Sequence, residues 1–162
     1  MRLVRVAKLF DAIYGVNLEL NRLTPDINGI NFVSRTARNN GVSARVKRLP
    51  DVQPIPAGML TVAGGGSVME SFLQPEPFYS GRDLFYLKPK VEMTDQVKLF
   101  YCVCLRANKY RFNYGRQANR TLKDIELPEP DSIPSWVMHT DLDDLEKKVI
   151  SITDALDEQL KE

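Results

Sequence analysis

Short apolar patches separated by turn signals fill the first ninety residues of the chain. VRVAKLFDAIYGVNLELNRL breaks its apolar patches at Tyr14-Gly15 and Asn17, and Thr24-Pro25-Asp26 and Asn28-Gly29 mark turns, so this opening reads as β structure with exposed loops. INFVSRT, with its β-branched and aromatic residues, suits a strand and runs into the polar turn Arg38-Asn39-Asn40-Gly41. PIPAGMLTVA, then Gly64-Gly65-Gly66-Ser67, then VMESFL predicts strand, glycine loop, strand. PFYSG and DLFYLKP add two short aromatic-rich segments that close at Pro89.

From Thr94 the period changes. TDQVKLFYCVCLRAN offers Thr94 as an N-cap and Asp95 in the first turn, and Leu99, Val103 and Ala107 recur every fourth residue, which predicts a helix to about Asn108. The dense FYCVCL run also fits a buried strand. LPEPDSIPSW, with Pro128, Pro130 and Pro134, predicts an extended connector. Thr140 then reads as the N-cap of a second helix, LDDLEKKVISITDALDEQLKE. Its Leu142, Leu145, Val149, Ile152 and Leu156 form an a/d stripe. That stripe packs either on its own domain or on another helix, because an isolated helix of this length is marginal in water. The expected fold is therefore α+β, a mixed and mostly-β body with packed helices over residues 1–136, followed by an amphipathic, coiled-coil type helix over 137–162.

Composition narrows the function classes. The 162 residues suffice for one core, and 43% hydrophobic with 27% charged residues is a globular balance. No apolar run is long enough to span a bilayer and MRLVRVAKLF lacks the features of a signal peptide, so the expectation is a cytoplasmic protein without a membrane partner. Cys102 and Cys104 stand too close together to staple a fold and read as reduced, buried small hydrophobes. With His139 the sole histidine, a structural zinc site is not expected.

The net charge of +1 hides an asymmetry. Residues 1–123 hold 19 bases against 9 acids, a balance of +10, whereas residues 124–162 hold 3 against 12, a balance of −9. YGRQANRTLKDIELPEP, residues 114–130, carries the sign change between Lys123 and Asp124.

Catalytic motifs are weak throughout. Ser67 and Val68 follow the triple glycine where a nucleotide-phosphate loop needs Lys and then Ser or Thr, which leaves a plain β-turn or a close backbone approach to a DNA phosphate. Pro130-Asp131 followed by Glu146-Lys147-Lys148 imitates the spacing of metal-dependent nucleases, yet on a helix Glu146 and Lys148 point about 200° apart. Neither the catalytic loop nor the glycine-rich cofactor motif of an adenine methyltransferase is present, and no cofactor is expected. Two basic clusters remain. Arg35, Arg38, Arg45, Lys47 and Arg48 surround Asn39 and Asn40; Arg106, Lys109, Arg111, Arg116, Arg120 and Lys123 interleave with Tyr110, Phe112 and Tyr114. Arg grips guanine, Asn and Gln grip adenine, and both Arg and Lys neutralise phosphates, so the clusters point to a nucleic-acid surface.

The order KLFDAIYGVNLELN, FVSRTARNNGV, GMLTVAGGGSVMESFLQPEPFYSGRDLFYLKP and KLFYCVCLRANKYRFNYGRQANRTLKDIELPEP resembles the target recognition domain of the specificity subunits of type I restriction-modification enzymes, over about residues 5–136. The resemblance implies a mixed α/β recognition domain followed by a long helix. In that family two such units usually share one subunit, their helices pair antiparallel and set the distance between two DNA half-sites, and methyltransferase subunits dock on the scaffold. This chain departs from the pattern in carrying one recognition domain and one short helix, as a half subunit would.

What the resemblance implies is a non-catalytic subunit that reads double-stranded DNA and directs a partner DNA methyltransferase to a half-site. A restriction subunit, and either a homodimer or a second specificity half, are further partners it allows. The residues expected near DNA are Arg35, Arg38, Asn39, Arg45, Lys109, Arg111, Tyr114, Arg116, Asn119, Arg120 and Lys123; the stripe Leu142, Leu145, Val149, Ile152 and Leu156 would meet the partner helix. The rival expectation is a truncated or cassette-type module that assembles with restriction-modification subunits without reading DNA alone.

Overall fold

A computed structural model describes residues 1–112 and 121–161 of the chain. Among the described residues nine strands form three sheets. The largest is antiparallel, in the order β2 (Phe10–Tyr14), β8 (Leu84–Pro89), β5 (Leu60–Ala63), β6 (Ser71–Leu73). A second sheet places β3 (Pro25–Val33) between an antiparallel β4 (Val42–Val46) and a parallel β7 (Phe78–Ser80). The third pairs β1 (Leu3–Arg5) with β9 (Glu126–Pro128).

Side-chain alternation assigns the layers. In β8, Phe85 and Leu87 face α2 (Asp95–Ala107), while Leu84 and Tyr86 turn to Val33, Ile55 and Phe78 beneath the second sheet. In β3, Val33 joins that middle layer and Phe32 points the other way, to Val46 and Tyr79. All four residues of β5 are buried, as expected of a central strand covered on both faces. The mostly-β body with packed helices expected from the sequence is thus an α+β fold of helix, sheet and second sheet.

The FYCVCL run is helical. Thr94 Oγ1 accepts from the Val97 amide at 3.3 Å and caps α2 as expected. The buried side is Val97, Tyr101, Cys102 and Leu105, whereas Leu99 and Val103, on which the period was read, are 38% and 55% exposed. Together with Phe100, Trp136 and Val137 they line an open apolar groove of about 400 Å³. Tyr101 is held inside by its hydroxyl, which donates to the Pro128 carbonyl at 2.8 Å, and burial pushes its pKa above the usual tyrosine value. Cys102 is buried and free, and desolvation raises its thiol to about 12. Cys104 is half-buried, and burial raises its thiol as well.

Two segments differ from the sequence reading. The opening is not continuous β structure: α1 (Val6–Leu9) makes one helical turn between β1 and β2, because Val6 and Leu9, three apart, both enter the core. The proline-rich connector is also more than extended chain. It contains β9, a 3-10 turn at Pro130–Ser132 and α3 (Ser135–Met138), anchored by the buried Leu127, Ile133 and Val137. Thr140 is not where the last helix begins. Its hydroxyl donates to the Trp136 carbonyl at 2.9 Å, and α4 runs Leu142–Lys161.

Candidate nucleic-acid interface

The two basic segments, some sixty residues apart in sequence, meet at the edge strand β6. From one side comes the turn Arg38-Asn39-Asn40-Gly41. Asn40 Nδ2 donates to the Leu73 carbonyl at 2.9 Å, and a Cβ added at Gly41 would lie 3.3 Å from the Phe72 ring. From the other side, the last turn of α2 sets the Arg106 guanidinium 5.8 Å from the centre of that same ring. Just beyond, Lys109 Nζ reaches Glu70 Oε1 at 3.0 Å. Phe72 is therefore an apolar plate held between the two basic segments, with Arg106 stacked as a cation on an aromatic face.

The turn is built from left-handed backbone. Asn39, Asn40 and Gly41 have φ of 50°, 57° and 79° in succession, a conformation that Asn tolerates better than most residues and that glycine adopts freely. Their side chains and amides are spent on holding it: Asn39 Nδ2 donates to the Val42 carbonyl at 3.1 Å, the Gly41 amide to Arg38 at 2.9 Å, and the Ser34 amide to Gly41 at 2.9 Å. Asn39 thus supports the turn, and the exposed side chain free to project from it is that of Arg38, whose guanidinium has no ion-pair or hydrogen-bond partner among the described residues.

Other expected contact residues are already paired. Arg35 Nη1 meets Asp83 Oδ2 at 3.1 Å with both side chains largely buried, and the glycine loop lies on it: a Cβ at Gly65 would come within 2.8 Å of the guanidinium. The amides of Gly64 and Ser67 donate to the Asp83 and Arg35 carbonyls, so the loop braces Arg35. Arg45 bridges Glu76 at 3.0 Å and the Ile27 carbonyl at 3.4 Å. The Arg45–Glu76 pair is solvent-facing and is worth little, whereas Glu70 in the Lys109 pair is as enclosed as Asp83, and the Arg35 pair is enclosed on both sides and structural. Lys123 is exposed in a turn that packs near α1. Arg111 lies in the 3-10 turn Lys109–Phe112, and nothing is described of its side chain; Tyr114, Arg116, Asn119 and Arg120 lie outside the described residues.

The change of charge sign also has a local structure. Asp124 pairs with Arg5 at 3.7 Å and Glu129 with Arg2 at 3.1 Å, alongside the β1–β9 ladder. The acids after Lys123 are partly neutralised by the N-terminal bases. On α4, Ile152 and Leu156 are 61% and 54% exposed, while the side chains of Leu142, Leu145 and Val149 lie outside the description.

Phe72 and Gln74 were not singled out from the sequence, and Arg106 was counted in the second basic cluster but not among the residues expected near DNA. Gln74 sits beneath the turn, fully buried, with Nε2 donating to the Asn40 carbonyl at 2.9 Å and to Thr61 Oγ1 at 3.1 Å. Only the alternation of β6 could have flagged Phe72, and nothing local flags Gln74. Among the described residues no three His, Cys, Asp or Glu side chains converge as a metal site, and no helix is long and apolar enough to cross a membrane.

No protein-family model matches the chain. Over 135 residues it is 24% identical to the specificity subunit S.BcgI of a type II restriction enzyme from Heyndrickxia coagulans, covering 81% of this chain and 39% of that protein. Among solved structures, a chain of a type I R-M system studied for its complex assembly and conformational transition superposes with a TM-score of 0.68 at 19% identity, over 98% of this chain and 41% of the other. The HsdS subunit of Thermoanaerobacter tengcongensis gives 0.65 at 17% identity, over 95% and 39%. The type I S subunit of M. genitalium gives 0.58 at 22%, over 79% and 34%. The chain spans about two fifths of the length of the relatives it matches. In sequence and in fold, then, it is similar to one part of the specificity subunits of restriction-modification systems.

Proposed function

We propose that the chain is a non-catalytic DNA-recognition unit of a restriction-modification system, acting in the cytoplasm and directing a partner adenine methyltransferase, and with it a restriction subunit, to one half of a bipartite target. The observation that carries this reading is the meeting of the two basic segments on β6, with Phe72 between them. A surface assembled from distant Arg and Lys residues around an aromatic plate suits phosphate anchoring plus contact with base edges. In this reading residues 1–136 form the recognition domain and 137–162 the dimerisation or spacer helix. Arg38, Arg106 and Lys109 lie at the DNA, joined by Arg111, Tyr114, Arg116, Asn119 and Arg120 from the segment that follows α2, with Arg45 and Lys123 as peripheral phosphate contacts. The exposed Ile152 and Leu156 support pairing of α4 with the helix of a second copy or a second specificity half.

The test is the salt dependence of binding to duplex DNA, followed by fluorescence anisotropy. Affinity should fall by at least about tenfold between roughly 50 and 200 mM salt, and Arg38→Ala should lower the slope by about one phosphate contact. An affinity indifferent to salt would sink the proposal. The ion pairing of Arg35, Arg45 and Lys109 favours a second reading, an assembly module that does not read DNA alone. It predicts DNA binding only in a mixture with the methyltransferase, unchanged by Arg38→Ala.

A further inference from the structure

The Arg38 turn is held in a costly conformation by a residue that itself costs free energy to bury. Left-handed backbone at two successive non-glycine positions is strained and persists only where surrounding contacts impose it; such strain gathers at functional sites. Beside the bonds that Asn39, Asn40 and Gly41 themselves make, the turn is held from below by Gln74, 0% exposed, through its bond to the Asn40 carbonyl. Its amide oxygen, Oε1, has no hydrogen-bond partner among the described residues. A buried acceptor left without a donor is destabilising, whereas an apolar side chain of similar shape would remove that penalty. Thr61 would not be orphaned by such a change, since its hydroxyl also donates to the Phe72 carbonyl at 3.4 Å, and Asn40 is itself an exposed residue. Stability alone does not account for a glutamine here.

We propose that Gln74 is a positioning residue for sequence discrimination: it fixes the left-handed turn at Asn40 so that the Arg38 guanidinium is presented at one angle to a base edge rather than sweeping along phosphates. The proposal rests on the DNA-recognition reading above and deepens it by assigning discrimination to a buried residue that touches no DNA. An arginine on a mobile turn can still neutralise a phosphate, because that attraction is weakly directional. Gripping guanine through two parallel hydrogen bonds demands a fixed approach. Loss of Gln74 should therefore spare overall affinity and erode choice.

The experiment uses the full chain and a duplex enriched by it from a library of randomised sequence, with a scrambled duplex as competitor. Gln74→Met, which keeps the volume and removes the amide, should leave the thermal midpoint unchanged or raised, lower the ratio of selected to scrambled affinity by about tenfold, and leave scrambled binding and its salt slope intact. In Gln74→Met the additional substitution Arg38→Ala should lower the ratio no further, because the two act as one unit. Amide hydrogen exchange at Gly41, whose N–H is bonded to the Arg38 carbonyl, should accelerate. Gln74→Leu is the second variant should methionine disturb packing. An unchanged ratio in both variants, or a parallel loss of selected and scrambled binding, overturns the proposal. A wild-type chain that enriches no sequence overturns the DNA reading instead, and unchanged Gly41 exchange in the variants then overturns the clamp on its own.

Discussion

Helices α2 and α4 both carry apolar residues at helical spacing, and they have opposite fates. On α2 one side, Val97, Tyr101, Cys102 and Leu105, is driven into the largest core cluster, and a second side, Leu99 and Val103, lies open beside Trp136. On α4 the described apolar side chains, Ile150, Ile152, Leu156 and Leu160, are 52% to 85% exposed. Spacing thus shows that a segment can be an amphipathic helix. What covers the stripe depends on where the rest of the chain lies.

The comparison breaks most directly by truncating one residue on each helix. Leu105→Ala should cost about 2–5 kcal/mol in urea unfolding, since it opens a cavity between α2 and the sheet. Leu156→Ala should stay within about 0.5 kcal/mol in the chain alone. Equal losses at the two sites would mean that α4 is packed in solution. A smaller effect, about 1–2 kcal/mol, is expected for Tyr101→Phe, which leaves the buried Pro128 carbonyl without its donor and loosens α2 from β9.

The smallest effect concerns thiol chemistry and sharpens the same contrast. Because burial raises the Cys102 thiol to about 12, alkylation at pH 8 should be slow there and fast at a cysteine introduced by Ile152→Cys, as mass spectrometry would read out. The folded state keeps the Cys102 proton that an unfolded thiol gives up near its ordinary value of about 9. This contribution to stability is present below about pH 9 and is lost as pH rises towards 12.

Much of the fold was legible along the chain. The strands around the glycine loop, the Thr94 cap and the break at Pro89 are local signals, governed by backbone preference and short-range hydrogen bonds. The turn of α1 escaped notice because a four-residue helix has no period to read, and α3 and β9 because prolines there mask residues that are anchored by long-range packing. At the candidate interface, the charge of Arg38 and Lys109 was visible. That Arg35 belongs to Asp83, and Asn39 to its own turn, was not, since each depends on partners met only after folding.

The sequence by itself determined the residue types: a basic body, an acidic end, two amphipathic helices and an α+β order of elements, because charge, period and turn preference act over a few residues. Tertiary structure alone decided which bases are free, which side of α2 is buried, and that Gln74 lies under Asn40. Those outcomes depend on pairing between residues tens of positions apart, where the edge strand β6 gathers a turn from one region and a helix end from another.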